Sequence, residues 1–274
     1  MQEYIIENES TSRMLFFLTV FCIMASLEYV IPKTPLFLSK IQRWANNFTL
    51  LFLDIVIIRV IFSTAVISMA VYTQENSIGL FYIFDIAFYL HCVVSIVLLD
   101  CVIYWQHRFF HTISFFWLFH KVHHSDMNYD VTTGFRFHPI ELIFSMLIKI
   151  SFIFILGVPV IAAIIFEILL NSLALFNHSN IKLPKRVDVI LRYLIVTPDM
   201  HRIHHSVRSD ELNSNFGFNI SLWDRIFNSY KDKPKDTYEK MTIGLIDLQD
   251  KNKTVSLWSI LKLPFIKDKF HKKQ

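Results

Sequence analysis

Eight of the twelve histidines fall in three tight groups: His107 and His111 in QHRFFHT, His120, His123 and His124 in HKVHHSD, and His201, His204 and His205 in HRIHHSV. Spacings of three and four bring side chains to one face of a helix, so each group reads as a patch of imidazoles aimed one way. A single such patch is ordinarily a set of hydrogen-bonded interface residues. Three patches without a metal would be costly to desolvate and would repel one another when protonated, whereas neutral imidazole is the commonest transition-metal ligand. Structural zinc takes four ligands and catalytic zinc usually three, so eight or more nitrogens imply two metal ions.

His178, in FNHSN, is a candidate ninth ligand. His138, in RFHPIE, precedes a proline and is expected in an extended turn at the interface, as a supporting residue or a further ligand. His91 lies sixteen residues before His107, about 160° around and about 24 Å along one helix, so it is assigned no metal role. His271 is a tail residue. Asp100, Tyr104, His107 and His111 share one helix face, which places Asp100 to orient Tyr104 or a bound water beneath the metals. Asn215 and Asp224 are candidate supporting groups, with a capped turn as the alternative reading. None of the candidate ligand histidines has a carboxylate three residues before it, the Glu-x-x-His spacing of soluble di-iron bundles.

The elements that must position these residues are membrane spans. The 274 residues are 53% apolar, with 27 Phe and 18% charged residues, and the mean hydropathy is +0.41, a balance that soluble domains rarely carry. Apolar stretches over 14–31, 50–71 and 83–105 are each long enough to cross a hydrocarbon core. The run over 142–176 is too long for one pass; Gly157 and Pro159 interrupt it, so a helical hairpin is expected. Lys149 and Glu167 lie nine residues either side of Val158, at matching depth in the two arms, which predicts an intramembrane ion pair. Cys22, Cys92 and Cys101 sit in apolar runs without CxxC spacing and are expected as core residues. The first apolar run has no basic leader or small-residue cleavage site and is expected as a retained anchor.

Loop charges orient the spans. Glu3, Glu7, Glu9 and Glu75 mark acidic segments, while 32–49 carries Lys33, Lys40 and Arg43, so the latter is expected inside. Five passes then place residues 106–140 and everything after 177 on one cytoplasmic side. Residues 180–274 hold 18 Lys/Arg against 11 Asp/Glu, a basic half suited to anionic headgroups rather than to nucleic acid. The segment SLWSILKLPFIKDKF is expected either as an interfacial stretch or packed on the cap.

Four stretches, DCVIYWQHRFFH, WLFHKVHHSDMNYDVTTGFRFHPIE, FNHSNIKLP and TPDMHRIHHSVRSDELNSNFGFNISLWDRIFNSY, resemble in order the fatty acid hydroxylase/sterol desaturase superfamily of integral-membrane di-iron oxygenases. The resemblance divides the chain into N-terminal transmembrane helices over 1–96, a catalytic domain over 97–230 and a basic interfacial tail over 231–274. It implies that both HxxHH blocks face one cage holding two iron ions, closed by HRFFH and His178; zinc is the other ion that imidazoles accept. It further implies O2 as co-substrate, hydroxylation or desaturation of a lipid C–H bond, and electrons from an external carrier and reductase, since no nucleotide, flavin or haem motif is visible. Alkylglycerol monooxygenases, the pterin-using branch, share a similar HxxHHS block but carry an acidic residue where this chain has Thr112. That branch is one alternative; a non-catalytic metal-binding or transport protein is the other. The expected fold is all-α, with about five transmembrane helices and a cytoplasmic helical cap; oligomeric state is left open.

Overall fold

The structure, a computed structural model, describes residues 8–63, 65–84, 86–250 and 254–266. Glu3, Glu7, His271 and the end of the C-terminal segment lie outside the described residues. Among those described the fold is helical, with isolated β-bridges in place of strands. In chain order the helices are α1 (Glu9–Val30), α2 (Lys40–Phe62), α3 (Ala65–Glu75), α4 (Phe88–Thr112), α5 (Ser114–His124), α6 (Pro139–Leu156), α7 (Val160–Asn177), α8 (Lys185–Leu191), α9 (Pro198–His204), α10 (Ser209–Leu212), α11 (Leu222–Ile226) and α12 (Leu257–Lys262).

Five stretches are long and apolar enough to cross a membrane: α1, the run from α2 through α3, α4, α6 and α7. The second, expected as one helix over 50–71, is broken after Phe62, where Ser63 takes a φ of 50° and the α2 ladder ends. Apolar side chains such as Leu15, Phe16, Phe52, Val60, Leu90 and Val93 stay exposed on the outer faces, as expected of a surface solvated by lipid. Cys22 is exposed there too, so the expectation of a core residue fails for it, whereas Cys92 and Cys101 are partly covered and Cys92 packs against the main core.

The 142–176 run is the expected hairpin. α6 ends at Gly157 in the left-handed conformation (φ 71°, ψ 48°), and Pro159 precedes α7. A Cβ on Gly157 would lie 2.5 Å from the Ile78 carbonyl oxygen, so the turn packs directly on the loop after α3. Across the arms Lys149 Nζ meets Glu167 Oε1 at 2.7 Å, both side chains buried. The expected ion pair is formed.

At the other end of the bundle, residues 32–49, 106–140, 178–250 and 254–266 gather into a cap. The end of α1 enters it: Glu28 Oε1 accepts the Val131 and Asn180 backbone N–H groups at 2.7 Å each. The start of α2 supplies Arg43, which forks onto Asp126 (2.6 and 2.9 Å) and Asp130 (2.6 Å) with all three side chains buried. That bidentate grip fixes the turn that follows HKVHH. Arg136 donates to Ser125 Oγ and to the Val122 and Thr254 carbonyls. The C-terminal segment packs Ile260 and Leu263 against Leu50 and Val122 while leaving Trp258, Phe265 and Ile266 exposed.

Candidate metal centre

All nine expected ligand histidines meet in the cap beside the ends of α4 and α7, each at most 4% exposed. They form two sets, His107, His111, His120, His124 and His204 in one and His123, His178, His201 and His205 in the other, each offering nitrogens within 4.8 Å of one another. Helical pitch explains the division. Residues four apart differ by about 40° around a helix and adjacent ones by about 100°. The pairs His107/His111, His120/His124 and His201/His205 therefore each serve one set, while His123 and His204 turn to the opposite one. Each HxxHH block thus reaches both sets instead of presenting a single face.

Hydrogen bonds fix which ring nitrogens are bare. His107 Nδ1 donates to the Phe216 carbonyl (2.8 Å), His204 Nδ1 to the Ser214 carbonyl (2.7 Å) and His178 Nδ1 to the Ala174 carbonyl (2.7 Å). Burial drives the imidazoles of the cap toward neutrality: His120 and His178 fall to about 3, and His123, His124, His201, His204 and His205 lie well below the usual range, with neighbouring rings adding to burial in these five. A neutral ring protonated at Nδ1 has a bare lone pair at Nε2. Yet His107 and His204 bring their Nε2 atoms to 3.1 Å, and His178 Nε2 stands 3.1 Å from His123 Nε2 and 3.0 Å from His201 Nε2. In the His107–His204 pair, where both Nδ1 atoms are the protonated ones, two lone pairs face each other at that distance and repel unless a cation lies beside them. Two ligands at right angles on one ion, at about 2.1 Å each, sit about 3 Å apart. Both nitrogens of His111, His124 and His205 are likewise buried without a partner. The donor sets fit two imidazole-binding metal ions.

The rings are held from outside. His120 Nδ1 meets Glu141 Oε1 at 2.6 Å. The carbonyls at Ser214 and Phe216 belong to a loop that Asp224 clamps by accepting from the Phe216 and Gly217 N–H groups at 2.7 and 2.8 Å. Burial raises the Asp224 carboxyl to about 6 despite those bonds. Asn215, at φ 52°, donates to the Met200 and Lys231 carbonyls and accepts the Lys231 N–H, tying the loop to α9. Glu141 escaped the sequence reading because nothing in its 21-residue separation from His120 signals contact. The carbonyls escaped it because any residue supplies one.

Three expectations change. Asp100 and Tyr104 share the face of α4 with His107 and His111, but helical rise carries Asp100 about 10 Å below His107. Its Oδ2 accepts from Ile220 N–H and Trp223 Nε1, and the Tyr104 hydroxyl pairs with Ser229 and Arg108. They pin the 216–230 segment instead of hydrogen-bonding each other. His138 joins neither set: its Nδ1 accepts the Ile140 N–H as the N-cap of α6, and its ring packs on Phe119. His91 packs edge-on to Phe81 and Tyr82, away from the centre.

A cavity of about 130 Å³ opens at His107, His120 and Glu141 and runs down between α4, α6 and α7, lined by Ile103, Phe110 and Leu170 among others. A larger one, about 300 Å³, lies on the cap beside Tyr129 and Arg202.

Residues 92–229 match the family model for fatty acid hydroxylases. Ornithine lipid hydroxylase OlsE of Rhizobium tropici is 28% identical over 52% of this chain and 42% of its own length. Alkylglycerol monooxygenase of Xenopus tropicalis is 30% identical over 52% of this chain and 30% of its own. A very-long-chain aldehyde decarbonylase of rice, GL1-7, is 26% identical over 54% of this chain and 24% of its own. The chain thus spans less than half the length of these curated relatives. No solved structure matches.

Proposed function

Since the chain belongs to the fatty acid hydroxylase family, we propose that it is a membrane-bound di-iron oxygenase that hydroxylates an unactivated C–H bond of a lipid. The balance is R–H + O2 + 2e⁻ + 2H⁺ → R–OH + H2O, with the electrons delivered by a separate carrier. The observation that carries this reading is the bare Nε2 atoms of His107 and His204 facing each other at 3.1 Å within one buried histidine set, beside a second buried set of four converging histidines. Bound iron would supply the redox chemistry that reduces oxygen and breaks the C–H bond.

The chain's own residues do the rest. His107, His111, His120, His124 and His204 would hold one ion, and His123, His178, His201 and His205 the other. The Ser214, Phe216 and Ala174 carbonyls and Glu141 hold the Nδ1 protons in place, which keeps each Nε2 free to ligate. Ile103, Phe110, Leu142 and Leu170 line the apolar side of a cavity that leads from His107 and His120 into the bundle, room for an alkyl chain beside the centre. The basic 32–49 segment shares the cap with the centre, so the positive-inside rule puts the reaction on the cytoplasmic face. A transport protein would instead string its histidines along the spans.

Purified protein should hold two iron equivalents. His124→Ala and His204→Ala should each abolish the oxygen-dependent gain of one oxygen atom in extracted lipids while the protein still inserts into membranes. Full activity in both variants would remove the oxygenase reading.

A further inference from the structure

The cavity that opens at the histidines ends, deeper in the bundle, on the ion pair between the hairpin arms. On α6, Glu141, Ser145 and Lys149 recur every four residues and all line the cavity, as one helix face requires. Glu141 meets His120 at the top. Ser145, one turn down, takes a hydrogen bond from Gln106 at 3.0 Å. Lys149 lies eight residues below Glu141, about 12 Å along the axis, and Ile103, Leu170 and Asn171 line the same cavity.

Lys149 is pinned there. Glu167 Oε1 accepts from its Nζ at 2.7 Å, Arg13 approaches the other carboxylate oxygen at 3.7 Å, and Asn171 donates to the Glu167 carbonyl at 2.7 Å. A buried ion pair adds little stability over two well-packed apolar residues, so stability does not account for charges placed at this depth. Position does: a lone lysine has a flexible stem that would swing toward the nearest water, whereas the pair holds that stem across the end of the cavity.

We propose that the Lys149–Glu167 pair is the floor of the lipid cavity and limits how far an acyl or alkyl chain extends beyond the metal centre, so that it selects substrates by chain length. The inference rests on the reading of the cavity as the substrate path.

The test is equilibrium binding of saturated fatty acids from capric to stearic acid, in competition with dansylundecanoic acid, to the metal-loaded protein in lipid nanodiscs. Lys149→Ala/Glu167→Gln opens the floor without leaving a lone charge; Lys149→Met/Glu167→Gln removes the charges but keeps the bulk. The first should move the tightest-binding chain about three carbons longer, the four heavy atoms lost making that room, with affinity gaining about fourfold per added methylene. The second should keep the wild-type profile. An unchanged profile in the first variant, or the same shift in both, overturns the proposal. Because binding needs no turnover, a shifted profile with no oxygenated lipid in cells sinks only the oxygenase reading. Oxygenated lipid with an unshifted profile sinks only the floor.

Discussion

Replacing Glu141 should loosen one metal ion and spare the other. Glu141 Oε1 lies 2.6 Å from His120 Nδ1, with both side chains nearly inaccessible. With a bound cation favouring its ionised form, it makes a charge-assisted bond worth about 1.5–3 kcal/mol, against about 0.5–1.5 for a neutral acceptor. Glu141→Gln keeps an acceptor but loses the charge, a difference of about 1–1.5 kcal/mol, which weakens the ion held by the five-histidine set about tenfold. Glu141→Leu leaves the Nδ1–H without an acceptor and should weaken it toward a hundredfold. The other ion depends on His123, His178, His201 and His205, whose bonds to the protein do not involve Glu141. Chelator competition followed by elemental analysis should therefore show one equivalent leaving early and one behaving as in the wild type. Equal retention of both ions, or their joint loss, would refute the assignment of Glu141 to a single set.

Arg43→Met leaves Asp126 and Asp130 buried together without their cation and should cost about 3–5 kcal/mol, read as a lowered midpoint in detergent thermal unfolding; a midpoint within a degree of wild type contradicts the clamp. Gly157→Ala demands a left-handed alanine whose Cβ meets the Ile78 carbonyl and should cost at least about 2 kcal/mol, measured the same way. With metal removed, acid should destabilise the protein. The folded pKa values of His120 and His178, lowered to about 3, sit below the unfolded value near 6.5, so the unfolded chain binds more protons as pH falls from about 6.5 toward 3. Stability is full above about 6.5, and these two residues alone remove about 2.7 kcal/mol between pH 7.5 and 5.5. A flat urea midpoint across that range would contradict their neutrality in the fold.

Periodicity and composition were sufficient for much of this. Run lengths and the Gly157–Pro159 interruption determine five stretches long and apolar enough to cross a membrane and the hairpin between the last two, because the bilayer admits only satisfied helices of limited length. The matching offsets of Lys149 and Glu167 from Val158 determine their pairing for the same reason. Helical spacing also singles out eight of the nine histidines as candidate donors for two ions, with the lone His178 added as a ninth. What spacing could not assign is which histidine serves which ion, since that depends on where four separate elements meet in the cap. Nor could it find Glu141, or the carbonyls of Ala174, Ser214 and Phe216, and it gave Asp100 and His138 to the centre when one clamps a loop and the other caps a helix. A residue's type and its place on a helix face are local properties carried by the chain, whereas its partner is decided by packing between segments far apart in sequence.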